Sequence, residues 1–138
     1  MSTKVRPVLS PKNKYWIERH RYYELKHFCL QYPMWKTTYL SMDGLSKRPE
    51  TVALVQSHRI SDPTEKCAMV RNRYLEKMKM VEQSAIEADP DLASYILKAV
   101  TEERSYTYLK TNLNMPCCKD TFYDRYRKFF WILSSVRN

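Results

Sequence analysis

Apolar side chains recur at helical intervals through the last third of the chain, and the residues between them supply starts and stops. Asp89-Pro90 places a side-chain acceptor before a proline whose missing N–H costs nothing in a first helical turn. Leu92, Tyr95, Ile96 and Ala99 then share one stripe. Ser105 is the next residue able to cap a helix, and it opens a two-turn segment with Tyr106, Leu109 and Leu113 on its inner face. A helix that short needs neighbours on both sides. After the turn Leu113-Asn114-Met115-Pro116 comes a stronger stripe, Phe122, Tyr126, Phe129 and Leu133, at spacings of four, three and four. The pattern predicts three consecutive helices in the layout of a helix-turn-helix, with Asn114 in the place usual for glycine because Asn tolerates the left-handed backbone.

Upstream, Asp62-Pro63-Thr64-Glu65 combines an N-cap, a proline and a capping-box acid, and predicts a long helix reaching about Glu87. Cys67, Tyr74, Met78, Val81 and Ala85 form its stripe, with Arg71, Arg73, Lys77 and Lys79 around the polar sides. A stripe this long serves either a core inside one chain or a homodimer. A further helix is expected over residues 13–31, capped by Asn13 and carrying Trp16, Tyr23, Phe28 and Leu30, with Pro33 ending or kinking it. The expected organisation is a basic aromatic arm and helix over residues 1–41, a linker over 42–62 containing the single glycine, Gly44, and the long helix plus helix-turn-helix over 63–138. One glycine and seven prolines in 138 residues fit an all-α fold better than a sheet with many tight turns.

Charge sharpens the picture. The net charge is +9, and it is uneven: 11 basic and 4 acidic residues in positions 1–60, 6 and 7 in 61–101, and 7 and 4 in 102–138. Basic ends around a neutral middle suit a polyanion, although simple solubility explains many basic proteins equally well. In the N-terminal part, Tyr15, Trp16, Tyr22, Tyr23, Phe28, Tyr32, Trp35 and Tyr39 interleave with Lys and Arg. Such a composition suits base stacking, while aromatics at helical spacing more often form a core.

A tri-helical unit of this kind lays its last helix in the major groove of duplex DNA. Lys119, Asp120, Tyr123 and Asp124, near the start of that helix, are the expected readers of base edges, an Asp being able to accept from cytosine N4. Arg127 and Lys128, with Lys110 and Arg104 on the preceding elements, are the expected phosphate clamps.

Specific runs also carry a resemblance. Tyr-Leu-Lys at 108–110 and Met-Pro-Cys-Cys-Lys-Asp-Thr-Phe-Tyr-Asp-Arg-Tyr-Arg-Lys-Phe-Phe-Trp-Ile-Leu at 115–133 are similar to the C-terminal motif of late-gene transcriptional regulators of the RinA and ArpU type, from phages and integrated elements of Gram-positive bacteria. Tyr-Tyr-Glu-Leu-Lys at 22–26, Gln-Tyr-Pro-Met-Trp-Lys at 31–36 and Asp-Pro-Thr-Glu-Lys at 62–66 fit the same group. The C-terminal part of those regulators resembles the promoter-reading region 4 of sigma factors. The resemblance implies DNA binding and control of late phage genes. The expected mechanism is non-enzymatic: sequence-specific binding of double-stranded DNA beside a promoter, with a free basic or aromatic surface at the N-terminal end to recruit host RNA polymerase or another host nucleic-acid-binding protein. Cys117 and Cys118 depart from the Ser or Thr that most such helices carry near their start.

Other chemistries find little support. Cys29, Cys67, Cys117 and Cys118 include no Cys-x-x-Cys pair, and His20 and His27 are two helical turns apart, about 10 Å, so no metal site is expected. A Cys29–His27 nucleophile pair would require the two to meet within hydrogen-bond distance. With one glycine there is no phosphate loop, and no cofactor is expected. No segment approaches the roughly 18 apolar residues that span a bilayer, and the first residues lack the apolar core of a signal peptide, so a cytoplasmic location in a bacterial host and no membrane partner are expected. Two alternatives stay open: a phage-encoded inhibitor of a host nucleic-acid-targeting defence nuclease, of the anti-CRISPR type, and a small terminase subunit.

Overall fold

A computed structural model of the chain describes residues 12–46 and 63–137. Among the described residues there are six helices and no strand: α1 (Arg19–Leu30), α2 (Tyr32–Ser46), α3 (Pro63–Ala88), α4 (Ala93–Glu102), α5 (Tyr106–Leu113) and α6 (Lys119–Val136). The fold is all-α, as the periodicities require. The chain divides into two compact units, the described parts of residues 1–31 with 80–138, and of residues 32–79.

In the first unit α4 packs against α1, α5 and α6, and α1 also packs against α6. The core is aromatic. Phe122, Phe129, Phe130 and Leu133 of α6 are fully buried, with Leu25 and Cys29 of α1, Ile96 of α4, Leu109 of α5 and Met115 of the following turn. Phe130 meets Tyr22, Tyr126 and Phe129 edge-on at ring centroid distances of 5.1, 5.0 and 5.0 Å, the arrangement that ring quadrupoles favour. The hydroxyls of Tyr22 and Tyr126 share a hydrogen bond of 3.4 Å, and burial pushes both phenols upward. The expected stripe of α6 is buried throughout, and Phe130 and Ile132 widen it.

Several element starts have visible causes. Asp89 Oδ1 accepts from the backbone N–H groups of Asp91 and Leu92 at 3.0 and 3.3 Å, so the Asp-Pro signal forms a turn and α4 begins at Ala93. Ser105 Oγ accepts from the Tyr108 N–H at 3.1 Å and caps α5 as expected. Residues 13–31 behave differently. Asn13 does not begin α1; its side chain accepts from the Tyr15 N–H at 2.8 Å and its carbonyl from the Trp16 N–H at 3.0 Å, closing a separate turn. Glu18 caps α1 by accepting from the His20 and Arg21 N–H groups. The inner face of α1 is therefore Tyr22, Leu25, Phe28 and Cys29, with Trp16 and Tyr23 exposed. Pro33 falls in the first turn of α2, where a proline is tolerated, and the break between α1 and α2 is at Gln31.

In the second unit, Trp35 is buried and meets Tyr32 edge-on, the Arg71 guanidinium lies 4.1 Å from the Tyr39 ring, and the Cys67 thiol approaches the Met42 carbonyl at 4.0 Å. Helix α2 runs to Ser46, into the stretch read as a linker; residues 47–62, and with them the Asp62 cap, lie outside the described residues. Along α3, Met78, Val81 and Ala85 are buried as the stripe predicts, and Cys67 and Tyr74 are half-buried.

The turn between α5 and α6 depends on Asn114, which has φ 52° and ψ 44°. Its left-handed backbone lets the Met115 N–H reach back to the Leu109 carbonyl at 3.2 Å and drops the Met115 side chain into the core. Asn114→Ala is expected to destabilise the protein by about 1 kcal/mol, and Asn114→Gly to leave stability equal or slightly higher, because only alanine meets the Cβ clash. Urea unfolding of both variants checks this, and equal losses would exclude the backbone explanation.

Candidate nucleic-acid interface

Helix α6 has two distinct sides. Opposite its buried stripe, a turn of about 100° per residue brings Asp120, Asp124, Arg127, Lys128 and Trp131 onto one outward arc. Lys119 and Asp120 are exposed, and Tyr123, Asp124, Arg127 and Lys128 are half-buried. The six α6 residues expected to contact DNA thus lie along one helix, with Tyr123 at the edge of the arc and Lys119, in the first turn, on the side of the buried stripe.

Their neighbours set what each can do. Tyr123 packs against Tyr106 and Phe122 at 6.2 and 5.5 Å, which fixes its ring, and the Lys119 ammonium lies 5.7 Å from it. Asp124 is engaged by Arg125 at 2.7 Å, and the same guanidinium reaches Asp89 at 3.1 Å. This bridge ties the start of α4 to α6 and offsets the charge of Asp124. Arg127 has its Nε buried with no hydrogen-bond partner, while the residue as a whole is half-buried.

Of the two clamps placed on the preceding elements, Lys110 has an internal task. Its ammonium donates to the carbonyls of Met115 at 3.1 Å and Cys117 at 3.4 Å, and Tyr106 donates its hydroxyl to the same Cys117 carbonyl. Lys110 therefore helps close the turn that aims α6, while its side chain remains exposed. Arg104 is exposed, with its guanidinium over the Tyr108 ring at 4.4 Å and 3.6 Å from Glu102. It stands apart from the α6 arc in sequence, between α4 and α5.

The far end of α6 is held by a residue the sequence patterns did not single out. Arg21 of α1 donates to the Ser134 hydroxyl at 3.1 Å, to the Ser134 carbonyl at 3.0 Å and to the Arg137 carbonyl, supplying a cation and donors where the last turn leaves carbonyls unpaired. Arg137 in turn lies over the Phe28 ring at 3.9 Å. No single-helix pattern predicts a partner 113 positions away. Trp131 was more accessible to sequence reasoning, because it falls four residues after Arg127 and hence on the same arc.

Cys118 occupies the N-cap of α6. Its sulfur lies 3.2 Å from the Thr121 hydroxyl, and that hydrogen bond, helped by the backbone N–H groups of Thr121 and Asp120, holds the thiol below its ordinary range. Burial pushes the thiols of Cys117 and Cys29 upward, and Cys29 lies in the core. Iodoacetamide is therefore expected to modify Cys118 first, at a rate that rises with pH and reaches its plateau earlier than a free thiol's, with Cys29 protected until the protein unfolds. Peptide mapping of a time course checks the order.

Among the described residues, no helix is long and apolar enough to cross a membrane, and no three His, Cys, Asp or Glu side chains come together as a metal site. Comparison with protein-family models, with curated proteins and with solved structures finds no match to this chain.

Proposed function

We propose that this protein binds duplex DNA through the outward arc of α6 and acts as a non-enzymatic, sequence-specific transcriptional regulator of phage late genes in a bacterial host. One observation carries the reading. Helix α6 is anchored by six buried side chains on one side and carries Arg127 and Lys128 on the outward arc opposite them. The short α5 and the left-handed turn at Asn114 support it, since they set the angle at which α6 leaves the unit. Asp120 and Tyr123 then meet base edges, and Arg127 and Lys128 meet phosphates. A homodimer on paired half-sites, and recruitment of host RNA polymerase beside a promoter, belong to the same proposal.

The test is selection of bound duplexes from a random library by the full chain, followed by titration of the selected duplex between 50 and 200 mM salt. A defined sequence and an affinity falling steeply with salt are expected. Absence of duplex binding at 50 mM salt overturns the reading. Mass measurement on the complex separates a dimer from the ring that a terminase subunit would form.

A further inference from the structure

We propose that the DNA-binding track does not end at Lys128 but continues across Trp131 onto the N-terminal segment, where Lys14 holds a backbone phosphate flanking the site and Trp131 packs against the adjoining sugar. This rests on the reading of α6 as the DNA-binding helix. Trp131 is 44 % exposed, a large apolar area to leave in water, and it sits within roughly 20° of Asp124 at the centre of the outward arc. It lies about 12 Å along the helix axis from Tyr123, at 1.5 Å per residue, past the end of the helix that reads base edges. The nucleic-acid component within its reach is therefore backbone.

The N-terminal segment is joined to that position. The turn closed by Asn13 presents Tyr15, whose ring packs on Trp131 at a centroid distance of 5.6 Å, and the Lys14 ammonium lies 4.9 Å from the Tyr15 ring. Lys14 and Trp16 are exposed beside it. Charge selects the occupant. The first half of the α6 arc carries Asp120 and Asp124, whereas its second half carries Arg127 and Lys128 and no acid. Residues 12–17 add Lys12 and Lys14, and the next acid in sequence, Glu18, accepts from the N-terminus of α1. An aromatic platform with Lys14 on one side and Arg127 and Lys128 one helical turn before Trp131 fits a phosphate–sugar chain, with the indole taking the apolar face of the sugar and the ammonium the phosphate.

The experiment titrates the full chain and its variants Lys14→Ala and Trp131→Ala against one selected duplex across a salt series, with thermal melts recorded alongside. Lys14→Ala, on an exposed side chain, is expected to bind about three- to tenfold more weakly and to lower the slope of log affinity against log salt by about one. Trp131→Ala is expected to weaken binding with the slope unchanged, since it removes no charge. Wild-type affinity and slope in both variants overturns the extension, leaves the α6 reading standing and assigns the exposed indole to a protein contact. Failure of the wild-type chain itself to bind duplex removes both.

Discussion

The double variant Arg127→Ala/Lys128→Ala is expected to lose roughly ten- to a hundredfold in affinity for duplex DNA near physiological salt, and about two in the slope of log affinity against log salt. Both side chains lie on the outward arc of α6, away from the buried stripe, so their removal leaves the packing of Phe122, Tyr126, Phe129 and Leu133 in place. The loss should be nearly uniform across DNA sequences, because contacts to phosphate carry no base information. Asp120→Ala should behave oppositely and relax sequence preference with a smaller loss of affinity. Measured by fluorescence anisotropy, an unchanged slope in the double variant would show that this arc does not face phosphate.

Phe130→Ala is expected to cost about 3–5 kcal/mol of stability, the range for deleting a fully buried ring whose cavity cannot collapse. The ring is wedged between Tyr22 of α1 and Tyr126 and Phe129 of α6, so its loss opens the contact that holds α1 against α6. Against a usual stability of about 5–15 kcal/mol, that is a large fraction. Phe130→Leu should recover more than half of the loss. Urea unfolding at neutral pH checks both, and a midpoint for Phe130→Ala within error of wild type would contradict the packing described. Should DNA binding depend on how α6 is held, Phe130→Ala will also weaken it, whereas Arg127→Ala/Lys128→Ala will weaken it with stability intact; the pair of measurements separates support from contact.

Local signals proved most legible where they act over a few residues. Ser105, Asn114 and the period of the α6 stripe each place an element or a turn through contacts within about one helical turn, and the structure puts them where the pattern does. Asn13 shows the limit of the same reasoning. It is a good cap by type, but Glu18 offers an acceptor five residues later and Asn13 is spent on its own turn, so the apolar face shifted from Trp16 and Tyr23 to Tyr22 and Leu25. Lys110 illustrates a second limit: its charge suggested a phosphate, yet two carbonyls left open by the turn lie within its reach and compete for its donors.

The sequence alone determined the all-α class, the order of α4, α5 and α6, the bounds of the short α5, and the inward stripe of the last helix, because periodicity and capping are properties of neighbouring residues. Only the tertiary structure decided that Arg21 would close the end of α6, that Arg125 would bridge Asp89 and Asp124, and that Tyr15 would rest on Trp131. Arg21 with Ser134, Arg125 with Asp89 and Tyr15 with Trp131 lie far apart in the chain, and the first of these accompanies the burial of Tyr22, Phe129 and Phe130 where α1 packs on α6. No single stretch of sequence holds that information.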